Sequence, residues 1–283
     1  MSASERIRLV ECPRDAIQGI SHHFIPTEKK IGYINQLIRS HAFDCIDFGS
    51  FVSPQAVPQM QDTARVLEGI EKSSQTKLLA IIVNEKGAES AKSLDKIDFL
   101  GYPFSISETF QQRNAHSTVE QSFQRIESIK NRMASGKQDL VVYISMAFGN
   151  PYGDPWSMEL VLGWMEKLSE LGISRFSIAD TTSEASPESI KMLYTLVRHT
   201  FPDMELSLHL HSRPENALLK IEAGYNAGCR TFEGAMMGYG GCPFAQDDLV
   251  GNIPSEMLLR RFRNMDDNKI QTLLDGFQGM IKI

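Results

Sequence analysis

Eight short runs rich in β-branched and aromatic residues recur along the chain, and a helical pattern separates each from the next. This alternation constrains the fold more than any single motif does. The runs are 7–12 (IRLVEC), 45–51 (CIDFGSF), 77–84 (KLLAIIVN), 96–101 (KIDFLG), 140–148 (LVVYISMAF), 173–180 (ISRFSIAD), 205–212 (ELSLHLHS) and 230–236 (RTFEGAM). Strands alternating with helices build a parallel sheet, and eight such units predict a (β/α)₈ TIM barrel of α/β class. The helices carry their own signals. Ser117 and Glu120 in STVE read as a capping box, and Ser186-Pro187-Glu188 reads as a cap, a first-turn proline and an acid at the positive helix end. The stretch SMELVLGWMEKLSELGIS repeats apolar residues at three- and four-residue spacing and stops at Gly172, so Trp164 and its methionines are packing residues.

At 283 residues the chain has the length of one barrel, and no Pro/Ser/Gly-rich linker divides it, so residues 1–283 are expected to form one domain. A net charge of −6 argues against a nucleic-acid partner. No apolar run approaches the roughly 20 residues of a membrane span. The few residues before the first apolar run leave no room for a leader peptide. Cys12, Cys45, Cys229 and Cys242 are widely spaced, with no C-x-x-C pair. A cytoplasmic protein with free thiols is the expectation.

In a barrel, the segment MELSLHLHS becomes informative. Its leucines alternate with Ser207, His209 and His211, which share one face. A solvated polar stripe is the plain reading of that face in an open sheet. A parallel barrel covers both faces, so polar side chains belong at the mouth, after the C-terminal strand ends. Other polar residues fall just past strand ends: Arg14, Asp15 and Gln18 after the first run, Asp180 at the close of the sixth, and Cys242 and Asn252 after the eighth. Asp47 lies within the second. Asp15, His209, His211 and Asn252 together offer a mixed N/O set for Mg²⁺, Mn²⁺ or Zn²⁺. Taken singly, Asp15 suits a helix cap, Arg14 a surface ion pair, Asp180 and Asn252 turns, and Cys242 a packed thiol. Their shared location groups them. His22, His23, His41, His116 and His199 sit in loops or at helix ends and are assigned no chemistry.

The stretches ECPRDAIQ, FGSFVSPQAVPQM, SISETFQQRN, GNPYGDP, ADT, HLH and GYGGCPFAQ…GN resemble the 3-hydroxy-3-methylglutaryl-CoA lyases, a branch of the metal-dependent lyase and synthase TIM barrels. The resemblance runs from about Leu9 to Leu259. It implies cleavage of 3-hydroxy-3-methylglutaryl-CoA to acetyl-CoA and acetoacetate, as in leucine degradation, with a related aldolase or acyl-CoA condensing synthase as the alternative. It implies that Asp15, His209, His211 and Asn252 hold the divalent cation, with Mg²⁺ or Mn²⁺ ahead of Zn²⁺. Arg14 would neutralise the thioester oxygen and Gln18 would shape the substrate pocket. Cys242 would be the loop thiol that transfers a proton, and His209 an acid/base beside the metal. Asp47 and Asp180 are further catalytic carboxylates by the same resemblance. An acyl-CoA substrate and a homodimer are also implied. The chain departs from the family pattern at Asp47, where glutamate is usual, in HSRPEN and ADTTSEASP, and in a loop between Cys242 and Asn252 one residue longer.

Overall fold

In the computed structural model, which describes residues 6–134, 136–241 and 250–282, the first half-barrel is built from β1 (Arg8–Glu11), α1 (Pro13–Gln18), α2 (Thr27–Ser40), β2 (Cys45–Ser50), α3 (Thr63–Gly69), β3 (Lys77–Ile81), α4 (Glu85–Lys92), β4 (Phe99–Ser105), α5 (Glu108–Ala115) and α6 (Val119–Met133). The second comprises β5 (Asp139–Ser145), α7 (Met158–Glu170), β6 (Arg175–Asp180), α8 (Pro187–Thr200), β7 (Glu205–Leu210), α9 (Pro214–Asn226), β8 (Thr231–Gly234), α10 (Ser255–Arg263) and α11 (Asp267–Ile281). Every neighbouring pair is parallel, and β8 returns to β1 to close the barrel. Among the described residues no helix is long and apolar enough to cross a membrane.

Two expectations need correction. The fourth strand runs from Phe99 to Ser105 rather than over 96–101, so it continues through Pro103. Gly101 accepts a hydrogen bond from Ile82 N–H on the β3 side, and Pro103, two residues on, faces the same side. There β3 has already ended at Ile81, so the missing proline N–H breaks no ladder bond. The cap of α6 lies one residue later than STVE suggested. Thr118 accepts from Gln121 N–H and the Gln121 side chain accepts from Thr118 N–H, an arrangement worth about 1 kcal/mol. Ser186 caps α8 as expected, with Pro187 in its first turn.

The barrel interior is divided. Val10, Cys12, Cys45, Leu79, Ile81 and Tyr143 pack as an apolar cluster inside the β1–β5 half. The β6–β8 half is polar: Ser177 Oγ and Ser207 Oγ each donate to Glu233 Oε1 at 2.6 Å. Leu206, Leu208 and Leu210 belong instead to the large outer core between strands and helices. Period-two alternation on β7 therefore turns Ser207 and His209 inward and the leucines toward the helices.

Candidate metal centre at the barrel mouth

His209 closes the inward face of β7, and His211 follows two residues later, just past the strand end. Each ring is fixed from behind. His211 Nδ1 lies 2.9 Å from Thr181 O, and His209 Nδ1 lies 3.1 Å from Glu233 Oε2. Both partners are acceptors, so both Nδ1 atoms carry hydrogen and both Nε2 atoms are left as donors of a lone pair. Those two Nε2 atoms face each other at 3.3 Å. Facing lone pairs repel, and a positive charge shared between them relieves the repulsion.

Asp15 completes the cluster from the first turn of α1, where Pro13 starts the helix directly after β1. Ligand atoms of Asp15, His209 and His211 all lie within 4.8 Å of one another. Asn252 Nδ2 donates to Asp15 Oδ2 at 2.6 Å and to Tyr239 O at 2.9 Å, which leaves its Oδ1 buried without a hydrogen-bond partner. A buried amide oxygen with no donor is rare, and here it belongs to a residue hydrogen-bonded to Asp15 and bridged through its backbone to His211. The donor set fits a divalent cation. Cys12 also lies within 4.8 Å of His209 and Glu233, but burial and the surrounding carboxylates push its thiol up, which makes it a poor ligand.

Arg14 stands beside this cluster. Its Nε and Nη2 bind Asp47 Oδ2 at 3.0 and 2.5 Å, and Nη1 reaches Asp15 Oδ1 at 3.0 Å and Gln18 Oε1 at 2.9 Å. Burial opposes the charge on Arg14, yet its two carboxylates raise the guanidinium above its usual range. Burial likewise opposes ionised Asp15, but Arg14 and the two imidazoles hold it down to about 2. Asp47 is pushed up to about 6 by burial, with Arg14 pulling against that rise. Burial and then the His209 charge bring His211 down to about 4, whereas Glu233 raises His209 against its burial. A cavity of about 340 Å³ opens over these groups, lined among others by Arg14, Gln18, Ser50, Arg113 and His116. A second cavity of about 400 Å³ lies at the opposite barrel end. Charged groups of its lining pair with one another, as in Arg8–Glu205 at 2.9 Å and Arg175–Glu205.

The family model described as HMGL-like matches residues 7–278. The chain belongs to the HMGL-like family. The hydroxymethylglutaryl-CoA lyase YngG of Bacillus subtilis is 30% identical over 93% of this chain and 88% of its own. The mitochondrial hydroxymethylglutaryl-CoA lyase of Mus musculus is 31% identical over 90% of this chain and 78% of its own. An HMG-CoA lyase from Acinetobacter baumannii, solved with coenzyme A and 3-methylmalate, superposes with a TM-score of 0.89 at 32% identity, over 97% of this chain and 91% of that one.

Within this HMGL-like barrel the structure brings Arg14, Asp15, Gln18, Asp47, His209, His211 and Asn252 together. Cys242 lies outside the described residues. Asp180 is placed differently from the sequence expectation of a carboxylate at the mouth. Its Oδ1 accepts Ala185 N–H at 3.1 Å and its Oδ2 accepts Lys220 Nζ at 2.8 Å. Lys220 also donates to His211 O at 2.8 Å, so Asp180 bears on the centre only by fixing that backbone. Glu233, Lys220, Thr181 and His116 bear on the centre or its cavity and lie outside the sequence expectations. Glu233 was readable, because it is an acid on an inward strand position, paired in register with His209. Lys220 and the Thr181 carbonyl left no local signal. His116, assigned no chemistry from its place before a helix cap, lines the cavity.

One glycine is demanded by this packing. Gly240 has φ +102°, and a Cβ there would lie 2.6 Å from Asn252 Nδ2 and 2.8 Å from Asp15 O. Gly240→Ala should weaken Mn²⁺ binding by about 10–100-fold, the range found when supports of metal ligands are disturbed. An unchanged Mn²⁺ titration would show that this segment does not hold the ligands in place.

Proposed function

We propose that the chain cleaves 3-hydroxy-3-methylglutaryl-CoA to acetyl-CoA and acetoacetate, with a divalent cation held by Asp15, His209, His211 and Asn252. The observation that carries this reading is the facing pair of Nε2 atoms beside Asp15, with Asn252 hydrogen-bonded to that acid and left with an unpartnered Oδ1, next to a buried arginine. The names of the relatives support the substrate, and the coenzyme A bound to the Acinetobacter protein supports an acyl-CoA thioester. A mixed set of two nitrogens and two oxygens accommodates Mg²⁺, Mn²⁺ or Zn²⁺, and the family resemblance puts Mg²⁺ and Mn²⁺ first. When bound, the cation supplies Lewis-acid stabilisation of negative charge on substrate oxygen.

The remaining work falls to the chain's own groups. Removing the substrate's C3 hydroxyl proton needs a base with a free lone pair. We assign it to Asp47, whose Oδ1 has no hydrogen-bond partner beside Arg14. His209, its Nε2 committed to the cation, is held in place as a ligand by Glu233 at Nδ1. As the C2–C3 bond breaks, acetoacetate leaves and the electron pair passes to the thioester as an enolate. Arg14, permanently charged and clamped by Asp47 and Gln18, is placed to stabilise that oxygen. Protonation of the enolate carbon completes acetyl-CoA, and we assign that proton to Cys242. Cys242→Ser should then lower kcat by about 10²–10⁴-fold while leaving Mn²⁺ affinity unchanged. A fully active serine variant would remove the thiol from the mechanism. We carry a homodimer in the same reading, to be checked by light scattering.

The direct test is a coupled assay for acetoacetate and acetyl-CoA. Cleavage should require added cation, stop on chelation and return on addition. Turnover that survives thorough chelation, or cleavage only of free hydroxy acids, would overturn the proposal.

A further inference from the structure

On β1 the residues alternate, and Glu11 points outward from the barrel, opposite to Val10 and Cys12. It is nevertheless fully buried, in contact with α2 and α10. Its Oε1 accepts the Met236 N–H at 2.9 Å. Met236 opens the short 3₁₀ turn Met236–Gly238 that leads from β8 to Tyr239 and Gly240. The next amide of that turn, Met237 N–H, goes to a second carboxylate, Glu256 Oε2, at 3.0 Å. Met237 sits at φ 60°, a conformation its side chain disfavours, so the turn depends on outside support. Backbone bonds stitch the same turn to the segment around Asn252. Ala235 N–H donates to Ile253 O, and Ser255 N–H donates to Ala235 O, both at 3.0 Å. Tyr239 O then accepts Asn252 Nδ2 at 2.9 Å, and Gly240 packs on Asp15 and Asn252.

We propose that Glu11 is a positioning residue that acts through the Met236–Gly238 turn on Tyr239 and Gly240, and through them on Asn252. The claim deepens the metal-centre reading and rests on it. Three buried atoms, Glu11 Oε2, Tyr33 Oη and Ser255 Oγ, lie together at this spot with no other hydrogen-bond partner, so the two hydroxyls and the carboxyl answer only to one another. Tyr33 Oη and Ser255 Oγ are hydroxyls that can each donate or accept, and a protonated Glu11 adds an O–H to this group while its other oxygen still accepts the Met236 amide. Burial pushes the Glu11 carboxyl up to about 8. Ser255, Met236 and Tyr33 pull it back, and the Glu256 charge adds to the rise. The titratable groups facing it are Glu256 from α10 and Tyr33 from α2, whose own proton is held by burial. With a folded value above the ordinary glutamate value, the protonated form supports the fold at low pH. That support is lost as pH rises through about 8. Ionisation then puts a charge into a dry site beside Glu256 and loosens the turn.

The test compares amide hydrogen exchange of residues 234–241 in the wild type, Glu11→Gln and Glu11→Leu, each pair at matched pD. Glutamine keeps the acceptor and a donor without titrating; leucine removes both. Near pD 7 the wild type and Glu11→Gln should exchange alike. Near pD 9, where about nine-tenths of Glu11 is ionised, the wild type should exchange about fivefold faster or more, and Glu11→Leu should be fast at both values. Mn²⁺ affinity should follow the same order. Equal exchange of wild type and Glu11→Gln near pD 9 would overturn the proposal, and so would wild-type protection in Glu11→Leu. The glutamine comparison decides if the leucine variant does not fold. Exchange needs neither substrate nor ion, so failure of the lyase assay leaves this result readable on its own.

Discussion

Asp15→Ala should lower kcat for thioester cleavage by about 10³-fold or more. Losing one anionic ligand forfeits several kcal/mol of Lewis-acid stabilisation, and each 1.36 kcal/mol is about tenfold in rate. The substitution also strands its neighbours, because Gln18 Nε2 and Asn252 Nδ2 donate to Asp15 at 2.8 and 2.6 Å. The pH dependence has a definite sign. Asp15 sits at about 2 in the fold, below its ordinary value, so it stabilises the chain above the unfolded value and loses that contribution as pH falls through 2. At neutral pH the contribution is roughly 2 kcal/mol. Acid denaturation of the chelated protein should therefore steepen below about pH 4 in the wild type and less so in Asp15→Ala. Matching acid limbs for the two proteins would show that Asp15 is not held ionised.

Arg14→Gln should combine a catalytic loss with a structural one. Removing a fixed positive donor from a developing oxyanion lowers kcat by about 10²–10³-fold. Arg14 also compensates Asp47, whose Oδ1 already lacks a hydrogen-bond partner. Leaving a buried charge unpaired destabilises by about 3–5 kcal/mol. Asp47 can relieve part of this by protonating, since it sits at about 6 even with Arg14 present. The destabilisation should thus grow between pH 6 and pH 8, as keeping the group neutral becomes harder. Arg14→Lys keeps the charge but not the two-nitrogen grip on Asp47, and should recover stability more than rate. Equal urea midpoints for wild type and Arg14→Gln at both pH values would contradict the role given to this pair.

Much of the barrel was legible because parallel strands buried on both faces leave dense apolar runs, and because Ser and Pro mark helix starts. Strand β4 was displaced because Pro103 looks like a terminator, and only the neighbour's early end explains why it is not. At the mouth, His209 and His211 were readable from alternation on one strand, and Asp15 from its place after β1. Glu233 escaped because an acid in a strand was not matched to its partner across the register. Lys220 and Glu11 escaped for a different reason. Each looks like an ordinary charged residue along its own element, and its meaning comes from backbone groups far away in sequence, His211 O and Met236 N–H. Asp180 illustrates the converse: a strand-end acid in sequence, it turns to Lys220 rather than to the mouth.

Pulsed EPR of Mn²⁺ bound to the chain addresses the central claim most directly. One bound ion should show nitrogen couplings from two imidazoles, with one coupling lost in His209→Ala and the other in His211→Ala. A spectrum lacking nitrogen couplings, or one indifferent to both substitutions, would contradict a shared centre at the barrel mouth.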